Sequence, residues 1–358
     1  MRSTSPILAV TAALIALPAS SAGAQATKVR GWGENFERQT MAPVTLPDAV
    51  QVAAGEYHTV VRLADGTIRV WGRNFEGQAN VPTGLGTVAS VAAGEYCTLA
   101  VLTSGTVRAW GWNNGGQTDV PAGLSGVTKV DAGWGHCIAL KSDGSIVMWG
   151  RNDSGQTSVP SGLGPILDVA AGGDHTVVVL QSVGTVRAWG RNSSGQATVP
   201  ANVGSALKVA CGKWHSVALR SSDRTVRQWG SLSAGVPTGL TQVVDIAAGN
   251  GHTVALRADG TVRAWGNNTA LQSSIPLNLG TVSQVAAGGN FSLAISTIAT
   301  PPCPGDLNGD KLVDGSDLGI LIGAWGSTSG GAGDFDGDGR ITGLDLGALL
   351  GDWGRCMD

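Results

Sequence analysis

The sequence predicts a mainly β protein, a seven-bladed β-propeller followed by a small α-helical domain of the EF-hand kind. Three observations carry this. Trp-Gly recurs at Trp32, Trp71, Trp110, Trp149, Trp189, Trp229 and Trp265; a glycine marker recurs at Gly55, Gly94, Gly133, Gly172, Gly212, Gly249 and Gly288; and two similar Asp-rich stretches close the chain. With 55 Gly and only 14% charged residues, the composition is that of a turn-dense β protein rather than a disordered one.

The N-terminus reads as an export signal over residues 1–24. Arg2 supplies a positive start, Ile7 to Ala19 is apolar, and Ala22-Gly23-Ala24 offers small residues for cleavage. The apolar run is shorter than the roughly 20 residues a bilayer span needs. The expectation is a chain without a transmembrane anchor, secreted, periplasmic or at the cell surface. The C-terminal part, from Cys303, holds ten Asp against Lys311, Arg340 and Arg355. What remains is only mildly basic and spread over a large domain, which argues against nucleic-acid binding.

The propeller is assigned to residues 25–298. Both markers are spaced mostly 39 residues apart, with extremes of 36 and 40. One unit runs from Val52 through Gly55 and His58 to Leu63, turns at Asp65-Gly66, and continues from Thr67 to Trp71-Gly72. It ends with Gly77-Gln78 and Val81-Pro82. Short β-branched runs punctuated by Gly, Asp-Gly and Pro-Thr-Gly turns predict four strands per unit. The first Trp marker belongs to the back half of a unit and the last Gly marker to a front half. Residues 28–43 are therefore expected to complete the blade begun at 282–296, which removes free sheet edges.

The string V-A-A-G-x-x-H-T-V-A-L, followed by G-T-V-R-A-W-G, resembles the regulator-of-chromosome-condensation repeat over residues 28–298. The compact unit with G-Q-x-x-V-P is similar to bacterial secreted propellers, including the propeller-type inhibitor of β-lactamases. The family's founder acts as a nuclear exchange factor on a small GTPase, whereas an export signal points this chain elsewhere.

His58, His136, His175, His215 and His252 share one repeat position, which Cys97 and Phe291 fill in the other blades. A ligand or catalytic His needs no five copies around a ring, so these read as scaffold. Arg30, Arg69, Arg108, Arg187, Arg227 and Arg263, two residues before Trp, read likewise. Departures from the repeat say more. Phe36, Tyr57, Phe75, Tyr96, Trp112, Trp134 and Trp214 all fall in the first or third turn of a unit, which emerge on one face. So do all five Glu: Glu34, Glu37, Glu56, Glu76 and Glu95. Exposed rings beside acids are an interface composition, so this face is expected to bind a protein or glycan.

After a linker at 299–302, residues 303–358 form two halves. Oxygen ligands at loop positions 1, 3, 5, 9 and 12, with a carbonyl at 7, suit Ca²⁺. They are Asp306, Asn308, Asp310, Leu312 (carbonyl), Asp314 and Asp317 in the first loop. The second offers Asp334, Asp336, Asp338, Arg340 (carbonyl), Thr342 and Asp345. Two ions are expected. Cys303 and Cys356 flank the halves, where the ends of a pseudo-twofold domain meet, and a disulfide is expected there. Asp at position 12 and a helix ending in Trp-Gly resemble the dockerin module of cellulosome-type proteins. That resemblance implies a cohesin partner, read in that family by loop positions 10 and 11, here Gly315-Ser316 and Gly343-Leu344.

The functional expectation is a secreted, non-enzymatic binding or scaffold protein with a calcium-dependent docking module. The alternative is a secreted carbohydrate-active enzyme, or a subunit of one, attached through that module. A glycosidase needs two carboxylates in one cleft, and the five Glu are spread over several blades.

Overall fold

A computed structural model describes residues 27–43, 46–276, 279–297, 305–308, 310, 312–327, 333–335, 340–351 and 353–355. The export segment at 1–24 lies outside them. The described residues form seven antiparallel three-stranded sheets. Blade 1 holds 49–54, 58–63 and 68–72; blade 2 holds 88–93, 97–102 and 107–111; blade 3 holds 127–132, 136–141 and 146–150. Blade 4 holds 166–171, 175–180 and 186–190; blade 5 holds 206–211, 215–220 and 226–230; blade 6 holds 243–248, 252–257 and 262–266. Blade 7 joins 281–287 and 291–297 to the N-terminal strand 27–33. That strand pairs from Thr27 opposite Thr297 to Gly33 opposite Phe291, so the ring closes as the phase of the markers predicts.

Three strands per blade, not four, are found among the described residues. The stretch expected as a fourth strand is spent on turns. After Trp71-Gly72, Asn74 Oδ1 accepts from Ala79 N (2.8 Å) and Gln78 Oε1 accepts from Glu76 N (3.1 Å). Pro82 has no N–H for a ladder. The Gln78 carbonyl is used by the next blade instead, accepting from Thr98 Oγ1 (2.8 Å) and Trp110 Nε1 (3.0 Å).

The core sits between blades. Trp110 packs with Val60 and Ala100, Trp149 with Leu99 and Val130, Trp189 with Ile138 and Val178. Trp229, Trp265, Trp32 and Trp71 repeat the arrangement at the other four interfaces. Each middle strand is buried on both faces because it meets a neighbouring blade on each. At the axis, a Cβ on any marker glycine would fall less than 3.0 Å from the carbonyl oxygen of the next marker, and Gly288 meets Gly55. Only glycine lets seven inner strands approach this closely.

The repeated His are latches. His58 Nε2 meets Thr98 Oγ1 (3.0 Å), His136 meets Thr176 (3.1 Å), His175 meets Ser216 (2.9 Å), His215 meets Thr253 (3.1 Å) and His252 meets Ser292 (2.9 Å). Each partner lies in the following blade. Thr98, Thr176, Ser216 and Ser292 donate their hydroxyl protons to Gln carbonyls, so there the imidazole Nε2–H is the donor. The repeated arginines fold onto their own strand, as where Arg69 Nη1 donates to the Ile68 carbonyl (2.9 Å).

Near the C-terminus, α1 (Gly315–Gly323) and α2 (Gly343–Gly351) pack through Leu321, Ile341 and Leu349 around Val313. Asp314 caps α1, with Asp317 completing a capping box. Leu312–Val313 pairs with Gly354–Arg355, tying the two halves together. The expected disulfide between Cys303 and Cys356 falls outside the described residues.

Candidate functional site

The backbone puts the first and third turns of every blade on one face. The amide following each Trp-Gly donates to the carbonyl two residues past a marker glycine, as Arg73 N does to Tyr57 O (2.9 Å) and Trp112 N to Tyr96 O (2.9 Å). The other five blades repeat this bond, with Glu34 bonding Asn290 in the closing blade. The inner strands enclose a cavity of about 480 Å³. Its mouth on this face is ringed by the residues that follow the marker glycines: Glu56, Glu95, Trp134, Gly173, Lys213, Asn250 and Gly289.

Two aromatic clusters flank that mouth. Tyr57 and Tyr96 stack at 6.1 Å, and Trp112 meets Tyr96 edge-on at 6.0 Å. The Arg73 guanidinium lies over Tyr57, Phe75 and Tyr96 at 5.6, 5.0 and 4.9 Å. Glu76 holds it there through a 2.9 Å ion pair. Trp134 and Trp214 meet edge-on at 5.9 Å. Lys213 sits over Trp134 at 3.7 Å, and Arg191 over Trp214 at 4.4 Å. Each cation faces the electron-rich side of a ring. Phe36 projects to solvent, 91% exposed, and Phe75 is 79% exposed.

The charges are divided across the mouth. Glu34 and Glu56 are held by Asn290 (2.9 Å) and Asn250 (2.6 Å). Burial, reinforced by Glu56, pushes the Glu95 carboxyl up to about 7, and burial raises Glu56 as well. Glu37 adds its charge near Arg73. Opposite stand Lys213, Arg151 and Arg191, the two arginines flanking buried Asp174 at 4.0 and 3.5 Å. The aromatics and Glu expected on one face are on it, but the face is bipolar rather than acidic. Sequence reading missed Arg73, Arg151 and Arg191. They occupy the position just after Trp-Gly, where Glu34, Trp112, Ser231 and Asn267 also stand, and that variability was the available signal.

In the Asp-rich loops, Asp310 N donates to Asp306 Oδ1 (3.1 Å) and Asn308 Oδ1 (2.8 Å), which draws these oxygens together. Asp317 reaches back across its loop, accepting from Leu307 N (2.7 Å) and Asp314 N (2.9 Å). Asp345 does the same with Phe335 N (2.7 Å) and Thr342 N (2.7 Å). The first loop offers four carboxylates, an amide oxygen and the Leu312 carbonyl, residue types that suit a hard cation, although among the described residues no three carboxylates converge as a metal-binding group. In the second loop Asp334, Arg340, Thr342 and Asp345 are described, whereas Asp336 and Asp338 lie outside the described residues.

The profile of the regulator of chromosome condensation (RCC1) repeat matches residues 49–78, 88–117, 127–156, 166–196 and 243–272. That of the dockerin type I domain matches residues 304–350. No curated protein sequence matches the chain. Among solved structures, Prp20p from Saccharomyces cerevisiae aligns with a TM-score of 0.64 at 17% identity, over 77% of this chain and 93% of that one. Human WBSCR16 aligns with a TM-score of 0.65 at 19% identity, over 77% and 100% of the two chains. The ectodomain of the Arabidopsis thaliana receptor kinase ACR4 gives 0.56 at 19%, over 69% and 90%. At these identities the likeness is one of fold. Among the described residues no helix is long and apolar enough to cross a membrane. Dockerin type I domains bind calcium and dock to cohesins. The chain thus joins a propeller of RCC1-type repeats to a dockerin type I domain.

Proposed function

We propose that the protein is a secreted, non-enzymatic binding protein whose propeller mouth grips a protein partner. The dockerin domain, at 303–358, attaches it to a cohesin-type partner when two Ca²⁺ ions are bound. The observation that carries this is the pair of cation-capped aromatic clusters on either side of a bipolar mouth. Rigid rings supply contact area and opposed charges fix the orientation of a protein ligand. Glu56 is tied to Asn250 (2.6 Å), which suits a positioned charge for recognition better than a free glycosidase nucleophile. The propeller at 25–298 thereby acts as the recognition unit, and the linker at 299–302 as a spacer.

Capture of partners from the native extracellular fraction by full-length protein tests the reading. Tyr96→Ala and Trp214→Ala should each weaken capture by about 30-fold, roughly 2 kcal/mol. Asp65→Ala and Thr83→Ala, in turns of the opposite face, should leave it unchanged. Controls that matter more than the rings would place the binding surface elsewhere. Polysaccharide cleavage lost in Glu95→Gln would replace binding with catalysis.

The calcium half is checked by limited proteolysis. Chelation should open residues 305–355 to cleavage and added Ca²⁺ should restore resistance, with Asp306→Ala and Asp334→Ala together abolishing the response. Equal resistance with and without metal would remove calcium from the account.

A further inference from the structure

We propose that Cys97 and Cys137 form a disulfide that joins blades 2 and 3 covalently. The repeat register brings them together. Cys97 occupies the latch position held by His in five other blades, and Cys137 occupies the Thr or Ser position that receives the latch from the blade before it. Of the seven residues at that receiving position (Thr59, Thr98, Cys137, Thr176, Ser216, Thr253 and Ser292), Cys137 alone is not a hydroxyl residue. Both departures fall at the same interface, so the hydrogen-bonded pair is replaced there as a pair.

Both residues are buried, at 2% and 0% exposure, in one apolar cluster with Leu99, Val130 and Trp149. Both belong to that cluster and stand as free thiols in this structure. Cys137 Sγ also donates to the Gln117 carbonyl (3.3 Å), and that carbonyl keeps Trp149 Nε1 (2.9 Å) when the thiol proton is lost. Oxidation therefore leaves no buried acceptor unsatisfied. Cys211 stands apart, against the Ala170 carbonyl in blade 4.

The chemistry balances with a disulfide oxidant, either a small-molecule disulfide or a disulfide-donating oxidoreductase. Cys97 and Cys137 give up two protons and two electrons as their S–S bond forms, and the oxidant's disulfide becomes two thiols. Burial and the neighbouring Cys97 push the Cys137 thiol well up, so the reactive thiolate is disfavoured once the blades have packed. The bond accordingly forms while they assemble.

The full chain, refolded in reduced glutathione with glutathione disulfide, is alkylated in denaturant and digested without reduction. The expected result is one linked peptide pair holding Cys97 and Cys137. Alkylated Cys97 and Cys137, or either joined to glutathione or to another cysteine, overturns the assignment. A second measurement uses C97H/C137T, which rebuilds the latch of the other blades. Reductant should lower the propeller melting temperature of the parent and leave that of the variant unchanged. An equal response in both proteins, or none in either, also overturns it. Neither arm depends on where the protein resides or what it binds.

Discussion

Between pH 8 and pH 5 the five buried histidines should withdraw roughly 10 kcal/mol of stability, only partly offset by protonation of Glu95, and the propeller should unfold cooperatively in mild acid. His58, His136, His175, His215 and His252 are each fully buried, and burial lowers their pKa from 6.5 to between about 3 and about 4. The Nδ1 atom of every one lacks a hydrogen-bond partner among the described residues, and the backbone groups of Cys97, His175 and Phe291 near His58, His136 and His252 offset burial only in part. In the unfolded chain the same imidazoles titrate normally. Stability is therefore complete above pH 6.5 and falls as pH drops toward the folded values. At pH 5 each ring contributes about 2 kcal/mol to that loss. Few domains have more than about 15 kcal/mol in reserve. Thermal melts at pH 8, 6.5 and 5 check this, and a constant melting temperature would refute it. His58→Phe copies the residue used at Phe291. It should weaken the fold at pH 8, where Thr98 loses its donor, yet flatten the acid limb by about one proton.

Seven Trp-Gly and seven marker glycines made the ring and its closure legible, because each copy answers a demand of the same interface. Trp32 and Trp265 both pack between blades, but where Trp32 Nε1 donates to the Gln272 carbonyl (2.9 Å), Trp265 Nε1, after the shortened unit, donates to Gln228 Oε1 (2.6 Å). The strand count was misread because Gly77-Gln78 through Val81-Pro82 looks like a short extended run. Its role, presenting the Gln78 carbonyl to Thr98 and Trp110, is visible only once neighbouring blades are placed. The His were recognised as scaffold, but a latch between blades joins residues about one unit apart and leaves no local trace. On the mouth, Tyr57, Tyr96 and the Glu stood out as rare residue types in this chain. Arg73, Arg151 and Arg191 did not, because arginine also fills a repeat position two residues before Trp. The stacking of Arg73 on Tyr96 and of Arg191 on Trp214, and the pairing of Arg151 with Asp174, come from the convergence of turns belonging to different blades.

Removing residues 27–43 should abolish the folded monomer. Strand 27–33 is the outer strand of blade 7, and its loss leaves 291–297 as an open edge. Trp32 leaves the cluster it forms with Val254, Val282 and Ala294, a change worth about 3–5 kcal/mol for Trp32→Ala alone. Val29 leaves the cluster around Phe291. Gln39 goes as well, and its carbonyl accepts from Thr59 Oγ1 (2.7 Å) and Trp71 Nε1 (3.0 Å). The buried Thr59 hydroxyl would then lack its partner, at about 1–3 kcal/mol, and the half-buried Trp71 indole would lose its own. These losses fall on both sides of blade 7 and together rival the whole stability of a domain. Size-exclusion chromatography should show aggregate, with no cooperative melt. Trp32→Phe is the graded control, keeping most of the packing and losing the 2.9 Å bond from Nε1 to the Gln272 carbonyl. It should stay monomeric and melt only slightly lower. A truncated chain that remained monomeric and melted with the parent would mean that each blade is held by its own sheet. The N-terminal strand would then be an accessory rather than the clasp of the ring.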